Sequence, residues 1–331
     1  MIPSDKLGRE LRDLRISLTD RCNFRCNFCM PEGQEYEFFK REEILSFEEI
    51  ARVVRIAKRL GIKKVRLTGG EPLLRRHIEK LVGMIREEVE DIALTTNGFL
   101  LKEKIKDLSL AGLKRVTVSL PSLRDDRLSY IVGKDVKVSQ ILEGIQRAVE
   151  VGVLVKVNVC VVKGINEDEI VDFIEFFRPL GIEVRFIEFM DVGNLNGWSL
   201  EKVFSARDIL QAVSNRYIVQ PLGKAKKGET ANRFSLEDGY AFGIIASITE
   251  PFCGDCNRLR LTADGKLLTC LFASNGYDLK KLLRSGVEDE QIESFIRAIW
   301  ENRVDRYSEE RLELLKKGRK PKKIEMFKIG G

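Results

Sequence analysis

The stretch that decides the fold is Thr19-Asp-Arg-Cys-Asn-Phe-Arg-Cys-Asn-Phe-Cys-Met30, which directly follows a predicted strand at residues 14–18. It places Cys22, Cys26 and Cys29 on one short loop with the spacing C-x3-C-x2-C. Three thiolates are one fewer than the four that close an iron–sulfur cluster, so one iron would remain open to another molecule. The loop therefore predicts a cluster with an exchangeable ligand.

A second cysteine triad, formed by Cys253, Cys256 and Cys270, is also one thiolate short of a closed cluster. A disulfide framework is an alternative, but it suits small secreted domains, whereas this chain has 331 residues, seven cysteines and a start without an apolar signal segment. Structural zinc is the stronger alternative, because C-x2-C pairs commonly hold it. Two closed zinc sites need about eight ligands, and beyond the six grouped thiols only Cys160 and His77 are obvious candidates.

Length and composition limit the class of protein. With 331 residues, the chain can bury a sizeable core and can hold a principal domain and a smaller one. No apolar run approaches the about 20 residues that span a bilayer, so we expect a soluble, cytoplasmic protein without a membrane partner. The net charge of +6, with 33% charged residues of both signs, is too mild to indicate nucleic-acid binding.

Repeated junctions indicate alternating helices and strands. The segment Ser46-Phe-Glu-Glu49 is a capping box that predicts the start of a helix, and Gly61 is predicted to end that helix in the left-handed conformation. An apolar-Gly-apolar pattern recurs after helical segments and before β-branched runs, at Gly61, Gly112, Gly152 and Gly181. This repetition predicts βα units and a parallel sheet.

The predicted strands alternate apolar and polar residues, which is unusual for a parallel sheet. Side chains on a strand switch faces with a period of two, so helices would cover the apolar face and the polar face would line the inside of a curled sheet. The inward side chains would include Arg15, Arg66 and Lys156. Isolated buried charge costs several kcal/mol, so we expect this interior to hold water and an anionic ligand. Antiparallel strands with one solvated face are the alternative, although long helical connections favour parallel crossovers.

The cysteine loop, together with Thr68-Gly-Gly-Glu-Pro72 after the second predicted strand, resembles the radical S-adenosylmethionine (SAM) enzymes. The resemblance implies an α/β fold, an open and partial (βα)6 TIM-like barrel, with a [4Fe-4S] cluster on Cys22, Cys26 and Cys29 and SAM on its fourth iron. It also implies the residues that would contact the cofactor, which are Phe28 beside it, Gly70 and Glu71 at the amino group, Ser119 at the methionyl end and Met190 near the adenosine.

The second cysteine block, Cys253-Gly-Asp-Cys-Asn-Arg-Leu-Arg260, lies in a sequence that closely resembles a family of radical SAM enzymes that cyclise GTP in molybdenum-cofactor biosynthesis. The likeness covers nearly the whole chain. It implies a barrel in residues 1–235 and a smaller C-terminal extension in residues 236–331, with a second [4Fe-4S] cluster on Cys253, Cys256 and Cys270. The chain has no Walker-type phosphate loop, and the implied GTP ligands are Arg15, Arg66, Thr95, Lys156, Arg258 and Arg260.

The resemblance also implies a reaction, in which a lyase couples reductive cleavage of SAM to cyclisation of GTP. A 5′-deoxyadenosyl radical would abstract the 3′ hydrogen of the ribose, and C3′ would then join guanine C8 to give 3′,8-cyclo-7,8-dihydroguanosine triphosphate. The open iron of the second cluster would ligate the guanine. The cofactor and the clusters carry this chemistry, so no side chain is predicted to be a catalytic acid or base.

Partners follow from the same resemblance. They are a flavodoxin- or ferredoxin-type electron donor and, as the next pathway enzyme, cyclic pyranopterin monophosphate synthase; a homodimer is left open. Two other classes of protein are alternatives, namely a radical SAM maturase that acts on a peptide and a non-catalytic metal-binding module.

Two positions bear on how far the resemblance extends. Pro121 stands where the family usually has an acidic residue, which removes a charge and a backbone donor near the cofactor-binding strand end. The terminal pair Gly330-Gly331 matches a tail that inserts into the active site of the family. A tail that inserts into a narrow site favours residues without side chains.

Overall fold

Six parallel strands, which follow one another in chain order, form the centre of the fold. The computed structural model describes residues 2–319 and 321–330. Each of the first five strands pairs in parallel with the next one along the chain, as the sequence predicted. Their bounds are β1 Asp13–Ser17, β2 Lys64–Thr68, β3 Asp91–Thr96, β4 Arg115–Ser119, β5 Leu154–Val161 and β6 Glu183–Glu188.

Helices connect these strands. Those between β1 and β6 are α1 Phe47–Arg59, α2 Ile78–Ile85, α3 Leu101–Ala111, α4 Asp125–Val132, α5 Val138–Glu150 and α6 Ile170–Phe177. Their apolar faces pack on the sheet within one core cluster. Among the described residues, no helix is both long enough and apolar enough to cross a membrane.

The predicted helix ends are present in the structure. At the start of α1, Ser46 Oγ accepts a hydrogen bond from Glu49 N at 3.2 Å, and the Glu49 carboxylate accepts one from Ser46 N at 2.7 Å. The glycines of the four repeated junctions all have positive φ, namely Gly61, Gly112, Gly152 and Gly181. These left-handed turns redirect the chain from a helix into the next strand.

The C-terminal part of the chain extends both edges of the parallel sheet. Its elements are α7 Ala206–Ser214, β7 Val219–Gly223, β8 Asn232–Leu236, β9 Ala241–Ile245, β10 Arg258–Leu261, β11 Lys266–Leu268, β12 Tyr277–Asp278, α8 Leu279–Leu283, α9 Asp289–Glu301, α10 Tyr307–Lys316 and α11 Met326–Ile329. β9 pairs in parallel with β6 and continues through antiparallel β8 to β7. β10 pairs in parallel with β1 and continues through antiparallel β11 to β12. Within the described ranges, no pairing joins the β7 and β12 edges, so the barrel is open, as predicted.

The register of the strands brings three arginines side by side. Arg15 on β1 is aligned with Arg66 on β2 and with Arg260 on β10. The pairing of β10 with β1 therefore carries arginines from the C-terminal part of the chain to the polar face of the N-terminal strands. The division into residues 1–235 and 236–331 stays a prediction, and both segments contribute strands to the same sheet.

Replacing Ser46 with Ala should lower the free energy of unfolding by about 1 kcal/mol, because the third amide of α1 loses its cap. Urea denaturation of the purified protein measures this change. The matched control is Ser294→Ala inside α9, where the exposed hydroxyl only donates back to Glu290 O at 2.8 Å. Alanine is a better helix former than serine, so the control should be neutral or slightly stabilising; equal losses in both variants would contradict the capping role.

Candidate active site

The polar face of the sheet lines a cavity that reaches the C-terminal ends of the strands. Residues just beyond four strand ends line it, namely Gly70 after β2, Asn97 after β3, Pro121 after β4 and Phe189 after β6. All six grouped cysteines line the same cavity. All but one of the other predicted site residues also line it. These are Arg15, Phe28, Arg66, Gly70, Glu71, Thr95, Ser119, Met190, Arg258 and Arg260.

Backbone hydrogen bonds hold the first cysteine loop in place. Arg25 N donates to Val132 O at 2.8 Å, which attaches the loop to the end of α4. Cys26 O accepts from Cys29 N at 3.0 Å, so these two cysteines lie on one tight turn. The thiol of Cys22, together with those of the turn, lines the cavity.

The chemistry of the first triad fits an iron–sulfur cluster. All three thiols are free and half-buried, and burial raises the pKa of Cys22 to about 11 and the pKa values of Cys26 and Cys29 further. Bound iron would therefore have to displace their protons. Among the described residues, no three His, Cys, Asp or Glu side chains are arranged to hold a single metal ion. A [4Fe-4S] cluster takes each thiolate on a different iron, so the three thiols need not converge on one ion.

The glycine segment after β2 packs against the backbone of the first cysteine loop. Gly70 N donates to Thr19 O at 2.7 Å, and Glu71 N donates to Arg21 O at 2.8 Å. A Cβ atom on Gly70 would lie 2.4 Å from Arg21 O. Position 70 therefore has no room for a side chain, and this close contact fixes Glu71 relative to the triad.

The buried carboxylate of Glu71 accepts three hydrogen bonds. The donors are Thr96 Oγ1 at 2.7 Å, Asn97 N at 2.8 Å and Leu73 N at 3.0 Å. Burial raises the pKa of Glu71 to about 7 despite these donors. A carboxylate in this state is stabilised in its charged form by a nearby cation, which fits the predicted role of Glu71 at an ammonium group.

Five arginines that line the cavity form what we call the arginine wall, namely Arg15, Arg66, Arg185, Arg258 and Arg260. Arg66 Nη1 donates to Thr95 Oγ1 at 2.9 Å and to Thr117 Oγ1 at 3.3 Å. Burial, together with the charge of Arg15, lowers the pKa of Arg66 to about 9. The Nε atoms of Arg15 and Arg66 are buried without a hydrogen-bond partner in the described structure. Such a wall is stabilised by an anion, and guanidinium groups match the geometry of phosphate.

The second cysteine triad lies beside the arginine wall. Cys253 and Cys256 lie at a short turn that leads into β10, and Cys270 follows β11. Burial would raise the pKa of the Cys256 thiol, but Arg258 and Arg303 lower it to about 6. This cysteine is therefore prepared as a thiolate ligand before any metal binds.

Lys156 is the predicted site residue that does not line the cavity. Its Nζ lies 2.9 and 3.0 Å from the two carboxylate oxygens of Glu183. The alternation along β5 placed Lys156 on the polar face, but alternation does not reveal an acidic neighbour on the next strand. Its contact with GTP stays a prediction.

The cavity-lining residues that were not predicted from the sequence include Arg185 and Arg303. Arg185 lies on β6 with its side chain in the arginine wall, and the period-two alternation used for β1 and β2 would have identified it. Arg303 also lines the cavity. It lies between α9 and α10, outside any strand or motif, so the sequence carried no local signal for it.

The C-terminal tail reaches the arginine wall. Gly330 O accepts a hydrogen bond from Arg260 Nη1 at 2.9 Å. A Cβ atom on Gly330 would lie 2.4 Å from Thr68 Cγ2, at the end of β2. The tail thus comes close to the site at Gly330, whereas Gly331 lies outside the described residues, and a function for the pair stays a prediction.

Pro121, the departure from the family pattern, lines the cavity. Its carbonyl accepts a hydrogen bond from Asn166 Nδ2 at 2.8 Å, and the neighbouring Ser122 donates to the buried carboxylate of Glu169 at 2.7 Å. These neighbours anchor the loop, so its shape does not depend on a backbone donor at position 121.

Two family models match consecutive parts of the chain. The model of the Radical SAM superfamily matches residues 16–177, and the model named Molybdenum Cofactor Synthesis C matches residues 182–309. A solved structure of Streptococcus suis SuiB bound to S-adenosylmethionine has a TM-score of 0.61 at 16% identity, over 87% of this chain and 68% of that chain. This likeness shows the fold alone. Together with the first triad, the two family-model matches define a radical SAM enzyme, a class that implies SAM and a [4Fe-4S] cluster.

Full-length relatives narrow the class to one family. A GTP 3′,8-cyclase of Aquifex aeolicus is 50% identical over 329 residues, which cover 99% of each chain. A GTP 3′,8-cyclase of Staphylococcus epidermidis is 47% identical over 334 residues, which cover 99% of this chain and 98% of the relative. The chain belongs to the GTP 3′,8-cyclase family.

Replacing Gly70 with Ala should weaken SAM binding at least about tenfold, because relieving the clash with Arg21 O must shift the cysteine loop away from Glu71. Equilibrium dialysis of SAM with anaerobically prepared protein measures the affinity. The matched control is Gly83→Ala on α2, where a new Cβ meets nothing within 4 Å. Unchanged SAM affinity in the Gly70 variant would contradict the steric requirement.

The affinity for SAM should increase with pH up to about pH 7, where Glu71 loses its proton. Below that pH, ammonium binding must first displace the proton that burial retains, which weakens binding by up to about tenfold per pH unit. Glu71→Gln should flatten this part of the profile measured by titration calorimetry. The α-amino group of free SAM titrates near pH 8, and this contribution is the same in the titrations of the variant and of the wild type. Identical profiles for the two proteins would therefore exclude Glu71 as the ionising group.

Proposed function

We propose that this protein is a GTP 3′,8-cyclase, which converts GTP to 3′,8-cyclo-7,8-dihydroguanosine triphosphate with SAM as the radical source. The observation that carries this proposal is that both cysteine triads and the arginine wall line the same cavity. A radical reaction between two bound molecules needs both of them held at close range and shielded from water. A cavity lined by two cysteine triads and a cationic wall would meet that requirement.

The SAM end of the cavity is built by the first triad and the strand ends around it. Cys22, Cys26 and Cys29 would hold a [4Fe-4S] cluster, and Gly70 and Glu71 would bind the amino group of SAM. When bound, this cofactor pair supplies hydrogen abstraction after one-electron cleavage of a carbon–sulfur bond. The lining side chains that would orient the rest of SAM and exclude water are Phe28, Ser119 and Met190.

The GTP end of the cavity is built by the arginine wall. Its guanidinium groups would bind the triphosphate, whose negative charge offsets the repulsion between neighbouring arginines. Thr95, which already accepts a hydrogen bond from Arg66, would add a hydroxyl contact. Lys156 would contact GTP only if its ammonium group left the Glu183 carboxylate and paired with a phosphate instead.

The second triad would bind the guanine end of GTP. Cys253, Cys256 and Cys270 would hold a second [4Fe-4S] cluster, and the iron that lacks a cysteine ligand would bind the base. The low pKa of Cys256 and the position of the triad beside the arginine wall support this assignment. The same substrate would then contact both the wall and the cluster, which limits its motion during ring closure.

The chain would act in the cytoplasm, where a flavodoxin- or ferredoxin-type protein would donate electrons and cyclic pyranopterin monophosphate synthase would accept the product. A barrel in residues 1–235 would carry the SAM site, and residues 236–331 would add the second cluster and the Gly330-Gly331 tail. A homodimer is compatible with this scheme and is not required by it.

Replacing Cys270 with Ser should remove about four of about eight irons and abolish cyclisation of GTP. SAM cleavage should persist, because the first triad is intact. Iron counting and chromatography of the cyclised product and 5′-deoxyadenosine, with reductant and without oxygen, measure these outcomes.

Cys160→Ser is the matched control, since Cys160 lines the same cavity but belongs to neither triad. It should retain both the iron and the cyclisation. Cyclisation at the wild-type rate in the Cys270 variant would remove the second cluster from the mechanism.

A further inference from the structure

A buried ionic network joins the N-terminal segment to the second cysteine triad. Arg9 Nε lies 2.5 Å from Asp5 Oδ2, and Arg303 Nη1 lies 3.4 Å from the same oxygen. The three side chains are at most 2% exposed. Arg9 Nη1 also donates to the carbonyls of Cys253, at 2.8 Å, and Asp305, at 2.9 Å.

Arg303 is the member of this network that contacts a predicted cluster ligand through sulfur. Its Nη2 lies 3.1 Å from Cys256 Sγ, and its Nη1 donates to Cys256 O at 2.7 Å. The guanidinium carbon lies 4.6 Å from the ring centre of Trp300, and Trp300 Nε1 donates to Arg9 O at 2.9 Å. Arg303 is therefore oriented by an acid on one side and an indole ring on another.

The first triad has no comparable contact in the described structure. Cys22 Sγ accepts from Phe24 N at 3.5 Å and is 3.9 Å from Asn97 Nδ2, and both of these donors are neutral. Hydrogen bonds to the sulfurs and the charge around a cluster set its reduction potential. A charged donor on sulfur favours the reduced state, which carries one more negative charge.

We infer that Arg303 is a positioning residue for the second cluster, which it orients through Cys256 and makes easier to reduce. The inference rests on the proposed function, because it requires a cluster at the second triad. Arg303 would keep Cys256 in place through its carbonyl and tune the cluster through its sulfur. The two clusters of one cavity would then differ in potential because, among the described residues, guanidinium groups contact a ligand sulfur at the second triad and not at the first.

The test is a redox titration of the full-length holoenzyme, followed by electron paramagnetic resonance, for the wild type, Arg303→Gln and Arg303→Lys. The signal of the first cluster is identified by its change when SAM is added. For the second cluster, Arg303→Gln should lower the reduced-to-oxidised ratio about tenfold at a fixed potential, a shift of about 59 mV to more negative values for one electron. Arg303→Lys keeps the charge and should recover part of this shift.

Arg9→Gln is the matched control, because it breaks the same Asp5 network and a bond to the second cysteine loop but leaves the sulfur contact. Its shift should be clearly smaller. An equal shift in Arg9→Gln, or an unchanged potential in Arg303→Gln, overturns the inference. Loss of the second cluster's iron from Arg303→Gln alone, with an unchanged unfolding temperature, supports a positioning role, whereas the same loss from both variants overturns it.

The iron content of the wild type separates this inference from the proposed function. Wild-type protein with only about four irons would overturn the second cluster of the proposed function and, with it, the inference. Wild-type protein with both clusters and no response to Arg303→Gln overturns the inference alone.

Discussion

The site depends on the parallel pairing of β1 with β10, because that pairing sets Arg260 beside Arg15, which already lies beside Arg66. Three guanidinium groups in one row repel each other and lose hydration on burial, at a cost of several kcal/mol per charge. The opposite face of the same strands supplies the compensating free energy, since Leu14, Ile16, Val65 and Leu67 are fully buried there. The fold therefore holds an unfavourable charge distribution in place, and a polyanion in the cavity relieves it.

Much of the fold could be predicted from local patterns, because each pattern has a local physical cause. The capping box at Ser46 satisfies amides within one turn, and the glycine at position 61 provides the backbone conformation that ends the helix. The alternation along β1 and β2 assigns Arg15 and Arg66 to the polar face because side chains switch sides at every residue. The first cysteine triad was recognisable because its three ligands lie on one loop.

The remaining features could not be predicted because they arise between segments that are far apart in sequence. No local pattern indicates that β10 pairs with β1, or that Glu183 on the next strand neutralises Lys156. The same holds for Arg303, which contacts the second triad at the end of α9, where α9 packs against the N-terminal segment. Sequence patterns and the family resemblance thus identified the two triads and four of the five arginines of the wall, whereas the contacts among them required the tertiary structure.

The position of β10 has a consequence for the order in which the protein forms. On the ribosome, β1 is made early and its neighbour β10 appears roughly 240 residues later, so at about 5–20 residues per second the edge of β1 remains open for roughly 10 to 50 seconds. An unpaired strand edge invites pairing with other chains. The nascent protein is therefore exposed to aggregation at the edge where Arg260 will later line the cavity, and a chaperone that shields this edge would protect the future catalytic cavity.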